Sequence, residues 1–181
     1  MSLVVWLPLN GDLENQGLSN VTVTNNGATV DASGKIGKCY SFNGSSAKIS
    51  TSINLTPAMS FCAWVKFNSV KNFVIDARDS SGQGYQPMYI SSTGLQIYSS
   101  GSPSGGYINY SFSTDVWYHL VVSYSNNKGY LYVNGTLREV KVIKPDNSVI
   151  YITPNLLTVV KPDGSTVNMN KIINNDDRTS Y

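Results

Sequence analysis

The feature that most constrains this chain is a two-residue alternation of apolar side chains, cut at short intervals by turn-forming pairs. Phe61, Ala63, Val65 and Phe67 fall on one side of an extended segment, with Cys62, Trp64 and Lys66 on the other. A strand places successive side chains on opposite faces, so this pattern predicts a half-buried strand. The run Trp117–Tyr124 (WYHLVVSY) is apolar on both faces, as for a central strand between two layers. The next strand divides Tyr130 and Tyr132 from Leu131 and Val133.

Further short strands are expected near Val4–Leu9, Val21–Thr24, Ala47–Ser50, Phe73–Ala77, Met88–Ser91, Leu95–Tyr98 and Tyr107–Phe112. Between them stand Asn10-Gly11, Asn26-Gly27, Asn43-Gly44, Thr93-Gly94, Gly105-Gly106 and Asn134-Gly135. Asn-Gly suits the tight hairpin turn, because both residues tolerate positive φ. No stretch has helical periodicity over ten or more residues. The expected fold class is therefore all-β, a sandwich or barrel of antiparallel strands.

Charge narrows the function. Only 13% of residues are charged, about half the usual share. The net charge is +2 and its basic residues are scattered, which argues against nucleic acid as a partner. No run of about 18 apolar residues is present, so no membrane partner is expected. The opening MSLVVWLPLN lacks a basic leader region and reads as a strand rather than a signal peptide.

Composition shifts near residue 138. Residues 1–137 carry seven basic and six acidic side chains, and residues 138–181 carry six and five. The second segment holds a repeat: Val142-Ile143-Lys144-Pro145-Asp146-Asn147-Ser148 returns 17 positions later as Val159-Val160-Lys161-Pro162-Asp163-Gly164-Ser165. Pro, Asp and Asn or Gly in that order favour a turn, so each copy reads as a β-hairpin. The expected organisation is a sandwich over 1–137 and a hairpin tail over 138–181 that docks or assembles the chain.

Several of these segments together resemble one family. Trp117–Tyr124 and then Gly129-Tyr130-Leu131-Tyr132-Val133-Asn134-Gly135 are similar to the central hairpin of laminin-G-like, concanavalin A-like domains. Gly37-Lys38-Cys39-Tyr40-Ser41-Phe42-Asn43-Gly44, Phe61-Cys62-Ala63-Trp64-Val65 and Leu7-Pro8-Leu9-Asn10-Gly11-Asp12 match that family's earlier strands and turns in order. The resemblance covers about residues 3–137 and implies an antiparallel jelly-roll sandwich, here with a C-terminal β-hairpin extension. It also implies binding of glycans or proteins, in some members with calcium at the rim. The usual closing segment is missing after Arg138. Small Asn- and Gly-rich versions resemble phage and prophage structural proteins. The expected role is thus a non-catalytic adhesion or structural module of a phage virion (tail, baseplate or head decoration), made in the host cytoplasm. A stand-alone lectin-like bacterial protein is the alternative.

Candidate sites come from side-chain chemistry. Glycoside hydrolases need two carboxylates across the scissile bond. The chain's two glutamates, Glu14 and Glu139, fall in no such pattern, and no enzyme is expected. His119 lies mid-strand and is expected to be structural and hydrogen-bonded. Cys39 and Cys62 are expected to be buried thiols, with a disulfide as the other option. Asp76 and Asp79 form the first candidate calcium site and Asn10 with Asp12 a second; a solvated turn is the other reading of both. Sugar rings stack on aromatic faces, while amides and hydroxyls bond their hydroxyl groups. The tyrosine-rich stretch 79–112 therefore supplies the candidate glycan-binding residues Tyr85, Gln86, Tyr107, Asn109 and Tyr110. Packing on a sheet is the competing role for each tyrosine. The expected partners are a cell-surface or cell-wall glycan, and other virion subunits or a second copy through residues 138–181.

Overall fold

The computed structural model describes residues 3–53, 59–69, 72–78, 84–91, 94–99, 107–108, 110–125, 128–143, 149–152, 158–160 and 166–168. All its regular elements are β-strands in antiparallel pairs, and no helix occurs among the described residues. The chain groups into two compact units, Met1–Leu55 and Thr56–Tyr181.

The first unit combines two short ladders with turns bonded by asparagine side chains. Strand β1 (Val23–Asn26) pairs with β4 (Lys48–Thr51), and β2 (Thr29–Asp31) pairs with β3 (Cys39–Ser41). Asn25 turns the chain between β1 and β2, accepting from the Ala28 N–H at 2.9 Å and donating to its carbonyl at 2.8 Å. Asn43 Oδ1 accepts from the N–H groups of Ser45, Ser46 and Ala47, each at 3.0 Å. Asn10 Oδ1 accepts from Lys38 N at 2.7 Å, joining the first turn to the approach to β3. Gly37 (φ 65°) makes that approach possible, since a Cβ there would lie 2.5 Å from Asn10 Oδ1.

The strand expected near Val4–Leu9 is not a regular ladder. Residues 3–6 run beside 16–19 through Gln16 N–Trp6 O, Leu18 N–Leu3 O and Ser19 N–Val4 O bonds of 2.8–3.0 Å. Asn15 displaces the ladder: its Oδ1 accepts from both Trp6 N and Gly17 N. A side chain thus does the pairing that a strand would otherwise supply.

The second unit contains two larger sheets. One has the order β13-β12-β11-β10-β5, with β5 Met59–Lys66, β10 Trp117–Ser125, β11 Lys128–Val133, β12 Thr136–Ile143 and β13 Val149–Ile152. The other has the order β6-β7-β8-β9: Asn72–Arg78, Gly84–Ser91, Gly94–Ser99 and Tyr107–Ile108. A short pair, β14 (Thr158–Val160) with β15 (Thr166–Asn168), stands apart in pairing. Both repeat copies form hairpins, as their turn chemistry predicts: β12 with β13 and β14 with β15. The compositional break at 137/138 falls inside β12, whose pairing with β11 runs on across it.

The core lies where the two large sheets face each other. Leu120 and Val122 of β10 and Leu131 and Val133 of β11 are buried against Met88 and Ile90 of β7. Burying each such side chain contributes about 1.5–3 kcal/mol. Phe61 and Val65 of β5 and Ile75 of β6 close its margins. Tyr118 caps one end, its hydroxyl accepting from Ser113 N at 2.9 Å. The chain is thus an all-β antiparallel sandwich, as the alternation implied.

Candidate functional site

The faces of the five-stranded sheet separate by parity. Residues 118, 120 and 122 of β10 point into the core, so 117, 119, 121 and 123 point away from it. Pairing sets Trp117 opposite Lys66, His119 opposite Trp64, Val121 opposite Cys62 and Ser123 opposite Ser60. On the other side Tyr132 pairs with Val121 and Tyr130 with Ser123. The result is an outer face of aromatic and small polar groups in rows about 7 Å apart.

Trp64 is 42% exposed on this face, on β5 at one end of the sheet order. Its ring lies 5.0 Å from that of His119, tilted by 42°. Lys66 Nζ sits 5.3 Å from the Trp117 ring centroid, a cation–π contact. At the far end the Ser60 and Ser123 hydroxyls are bonded at 2.8 Å. The backbone of His119 is clamped to the β11–β12 turn: its N–H donates to Asn134 Oδ1 at 2.9 Å, and Asn134 N donates to its carbonyl at 2.8 Å.

Cys62 Sγ lies 3.0 Å from His119 Nε2. Burial of the sulfur against its neighbours pushes the Cys62 thiol up from its ordinary value. It therefore stays a neutral thiol near pH 7, hydrogen-bonded to Nε2 in the sense that the His119 tautomer sets. His119 is hydrogen-bonded, as its strand position suggested. The expectation of two buried thiols needs correcting: Cys62 is an exposed residue and Cys39 is half-buried, and no disulfide joins them. The physical reason is parity, since Cys62 shares the outer face with Lys66.

The residues singled out from sequence fare differently. Tyr110 is half-buried in an aromatic cluster, 4.7 Å from Phe112 and 6.3 Å from Tyr118, with the Arg138 guanidinium 5.5 Å from its ring. It packs against the core rather than presenting a free ring. Tyr85 and Gln86 lie in β7, opposite Ser99 and Tyr98, and Tyr107 lies in β9 opposite Gln96. Asn109 and Asp79 lie outside the described residues. Asp76 is exposed on β6. Among the described residues no three His, Cys, Asp or Glu side chains converge as metal ligands. Asn10, of the second calcium candidate, spends its carbonyl oxygen on Lys38 N. No helix among the described residues is long and apolar enough to cross a membrane.

The outer face escaped the sequence reading, although its signal was present. Trp64 alternates with core residues and shares its side with Lys66, a residue that keeps its ammonium in water. An indole on the lysine side of a strand is an exposed indole.

Comparison with known proteins fits this architecture. No curated protein matches the chain. Among solved structures, it is similar to Domain 4 of AbnA, a GH43 extracellular arabinanase from Geobacillus stearothermophilus, solved in complex with arabinotriose. The TM-score is 0.57 at 22% identity, over 76% of this chain and 74% of that one. This corrects the expectation that the chain is no enzyme. A sandwich of this kind occurs as one domain of an arabinanase, so the lack of a carboxylate pair argues against one kind of site and not against an enzyme. The laminin G model of the concanavalin A-like lectin/glucanases superfamily matches residues 42–167, most of the chain, and the chain therefore belongs to that superfamily.

Proposed function

We propose that this chain is a carbohydrate-binding domain whose glycan lies on the outer face of the five-stranded sheet. The observation that carries the proposal is Trp64, exposed beside His119 on that face. A sugar ring presents its C–H face to an indole, and the flanking Ser60, Ser123, Tyr130 and Tyr132 supply hydroxyls for its edges. The likeness to a domain bound to arabinotriose supports a glycan as the ligand class.

In its finer form the glycan is a cell-surface or cell-wall polysaccharide, and the chain serves adhesion as part of a phage virion. That setting is supported by the resemblance of small Asn- and Gly-rich sandwiches to phage structural modules. A stand-alone bacterial lectin is the other setting. Residues 138–181 would dock the domain to other virion subunits or to a second copy. Strand β13 favours this docking role, because it ends the five-stranded sheet with the apolar run Val149–Ile152.

Titration calorimetry against a panel of arabinan, xylan and cell-wall oligosaccharides tests the glycan reading. Saturable binding that Trp64→Ala weakens supports it. Binding untouched by Trp64→Ala but lost in Tyr85→Ala or Tyr107→Ala would move the site to the β7–β9 sheet. No binding to any glycan removes the proposal. Light scattering with Ile150→Pro tests docking, which predicts a smaller particle than the parent chain forms.

A further inference from the structure

Among the described residues the outer face carries one charged side chain, Lys66. The others are Ser60, Cys62 and Trp64 of β5, Trp117, His119, Val121 and Ser123 of β10, Tyr130 and Tyr132 of β11, and Leu137 of β12. None is a carboxylate. Lys66 is exposed, its ammonium lies over the Trp117 ring, and no ion pair ties it to a carboxylate among the described residues. Asp115, two positions before Trp117, is the nearest acidic residue along β10; its backbone N–H donates to Phe67 O at 2.8 Å. The thiol of Cys62 is held in its neutral form and adds no negative charge.

We infer that this face selects glycans carrying an anionic group, which reaches Lys66 from a sugar stacked on Trp64. The inference rests on the glycan-binding reading and adds the chemical class of the ligand. Lys66 and Trp64 are alternate residues of one strand, about 7 Å apart along it. That spacing suits one sugar ring on the indole and the charged substituent of that ring or its neighbour on the ammonium. The indole under Lys66 favours the ammonium position without cancelling its charge, as a carboxylate partner would. An ammonium acts as a point charge toward both carboxylate and phosphate oxygens. The shared chemistry is therefore an anionic glycan, from either a uronic acid or a phosphate substituent.

The test uses the full chain and two matched ligand pairs. One is an oligogalacturonate and its methyl ester. The other is a phosphate-substituted oligosaccharide and its dephosphorylated form. Calorimetry at low and raised salt reads affinity for each. The charged member is expected to bind about threefold to fivefold more tightly at low salt, the scale of an exposed ion pair. Raised salt should shrink that preference. Lys66→Met should abolish it and Lys66→Arg should keep it, while Trp64→Ala weakens all four ligands. Preference in the first pair alone assigns a uronate, and in the second alone a phosphate. Equal binding within both pairs, or a preference that survives Lys66→Met, overturns the inference and leaves glycan binding standing. Failure of all four ligands, together with the neutral panel, overturns both.

Discussion

His119 and Asn134 are joined twice, once through the asparagine side chain and once through its backbone. The first bond runs from His119 N to Asn134 Oδ1 at 2.9 Å, the second from Asn134 N to His119 O at 2.8 Å. Asn134 has φ 51° and Gly135 φ 78°, both left-handed, as a two-residue hairpin turn requires. The turn therefore fixes the strand that carries His119.

Asn134→Ala should cost about 1–2 kcal/mol, from the left-handed backbone and the lost side-chain bond. Asn134→Gly keeps the backbone and should lose about 1 kcal/mol or less. Gly135 has open space around a would-be Cβ, so Gly135→Ala should cost only the backbone strain, about 1 kcal/mol. Urea unfolding of the three variants orders these effects. Equal loss in Asn134→Ala and Asn134→Gly would show that the side-chain bond is the whole contribution.

Trp64→Ala is expected to lower glycan affinity about threefold to tenfold, the scale of a ring-stacking contact. Its effect on Tm should be small, because the ring is 42% exposed. Trp64→Phe should retain part of the affinity. Calorimetry paired with thermal unfolding separates the two effects. A large fall in Tm with affinity unchanged would recast Trp64 as a packing residue.

Cys62 should alkylate slowly near neutral pH. Burial favours its neutral thiol, so the thiolate that reacts forms only at higher pH than in a free cysteine. The linkage has a definite sign. A raised value favours the folded state below the unfolded thiol's pKa, and that contribution is lost as pH rises through the folded one. Iodoacetamide rates in a Cys39→Ser background should therefore climb along an alkaline-shifted profile. A midpoint at or below that of a cysteine peptide contradicts this environment.

Leu120 and Val121 are neighbours on β10 with opposite fates. Leu120 is fully buried, whereas Val121 belongs to the outer face. Leu120→Ala should destabilise by about 2–5 kcal/mol through lost burial and a cavity. Val121→Ala should cost about 1 kcal/mol or less. Denaturant midpoints at constant slope check this. Similar losses at both positions would mean that a second layer covers the outer face.

The sandwich was legible because strand parity and turn chemistry are local. The alternation of Phe61–Phe67 marked β5 and its faces, and Asn134-Gly135 marked the β11–β12 hairpin. The Pro-Asp repeats marked β12–β13 and β14–β15. A local pattern misses competition between side chains and the ladder, as at Asn15 beside Trp6. The site was harder to read for a related reason. Tyr110 lies among Gly and Ser, which suggests a loop ring, yet Phe112, Tyr118 and Arg138 surround it. Trp64 sits in an apolar run, which suggests a core ring, yet its parity is that of Lys66. Neighbouring residue types mislead where strand parity decides.

Between β11 and β12 the register slips by one: Tyr132 pairs with Leu137 and Leu131 with Glu139, leaving Arg138 as the extra residue of a β-bulge. That odd residue brings the Arg138 guanidinium over Tyr110. It also makes β12 one residue longer than its partner needs. A deletion of Arg138 alone leaves every other pair in place, as a regular ladder without the bulge. A deletion farther along β12 instead shifts each residue beyond it to its neighbour's partner and so to the opposite face. Relatives that keep this hairpin should therefore differ in length inside β12 only at the bulge.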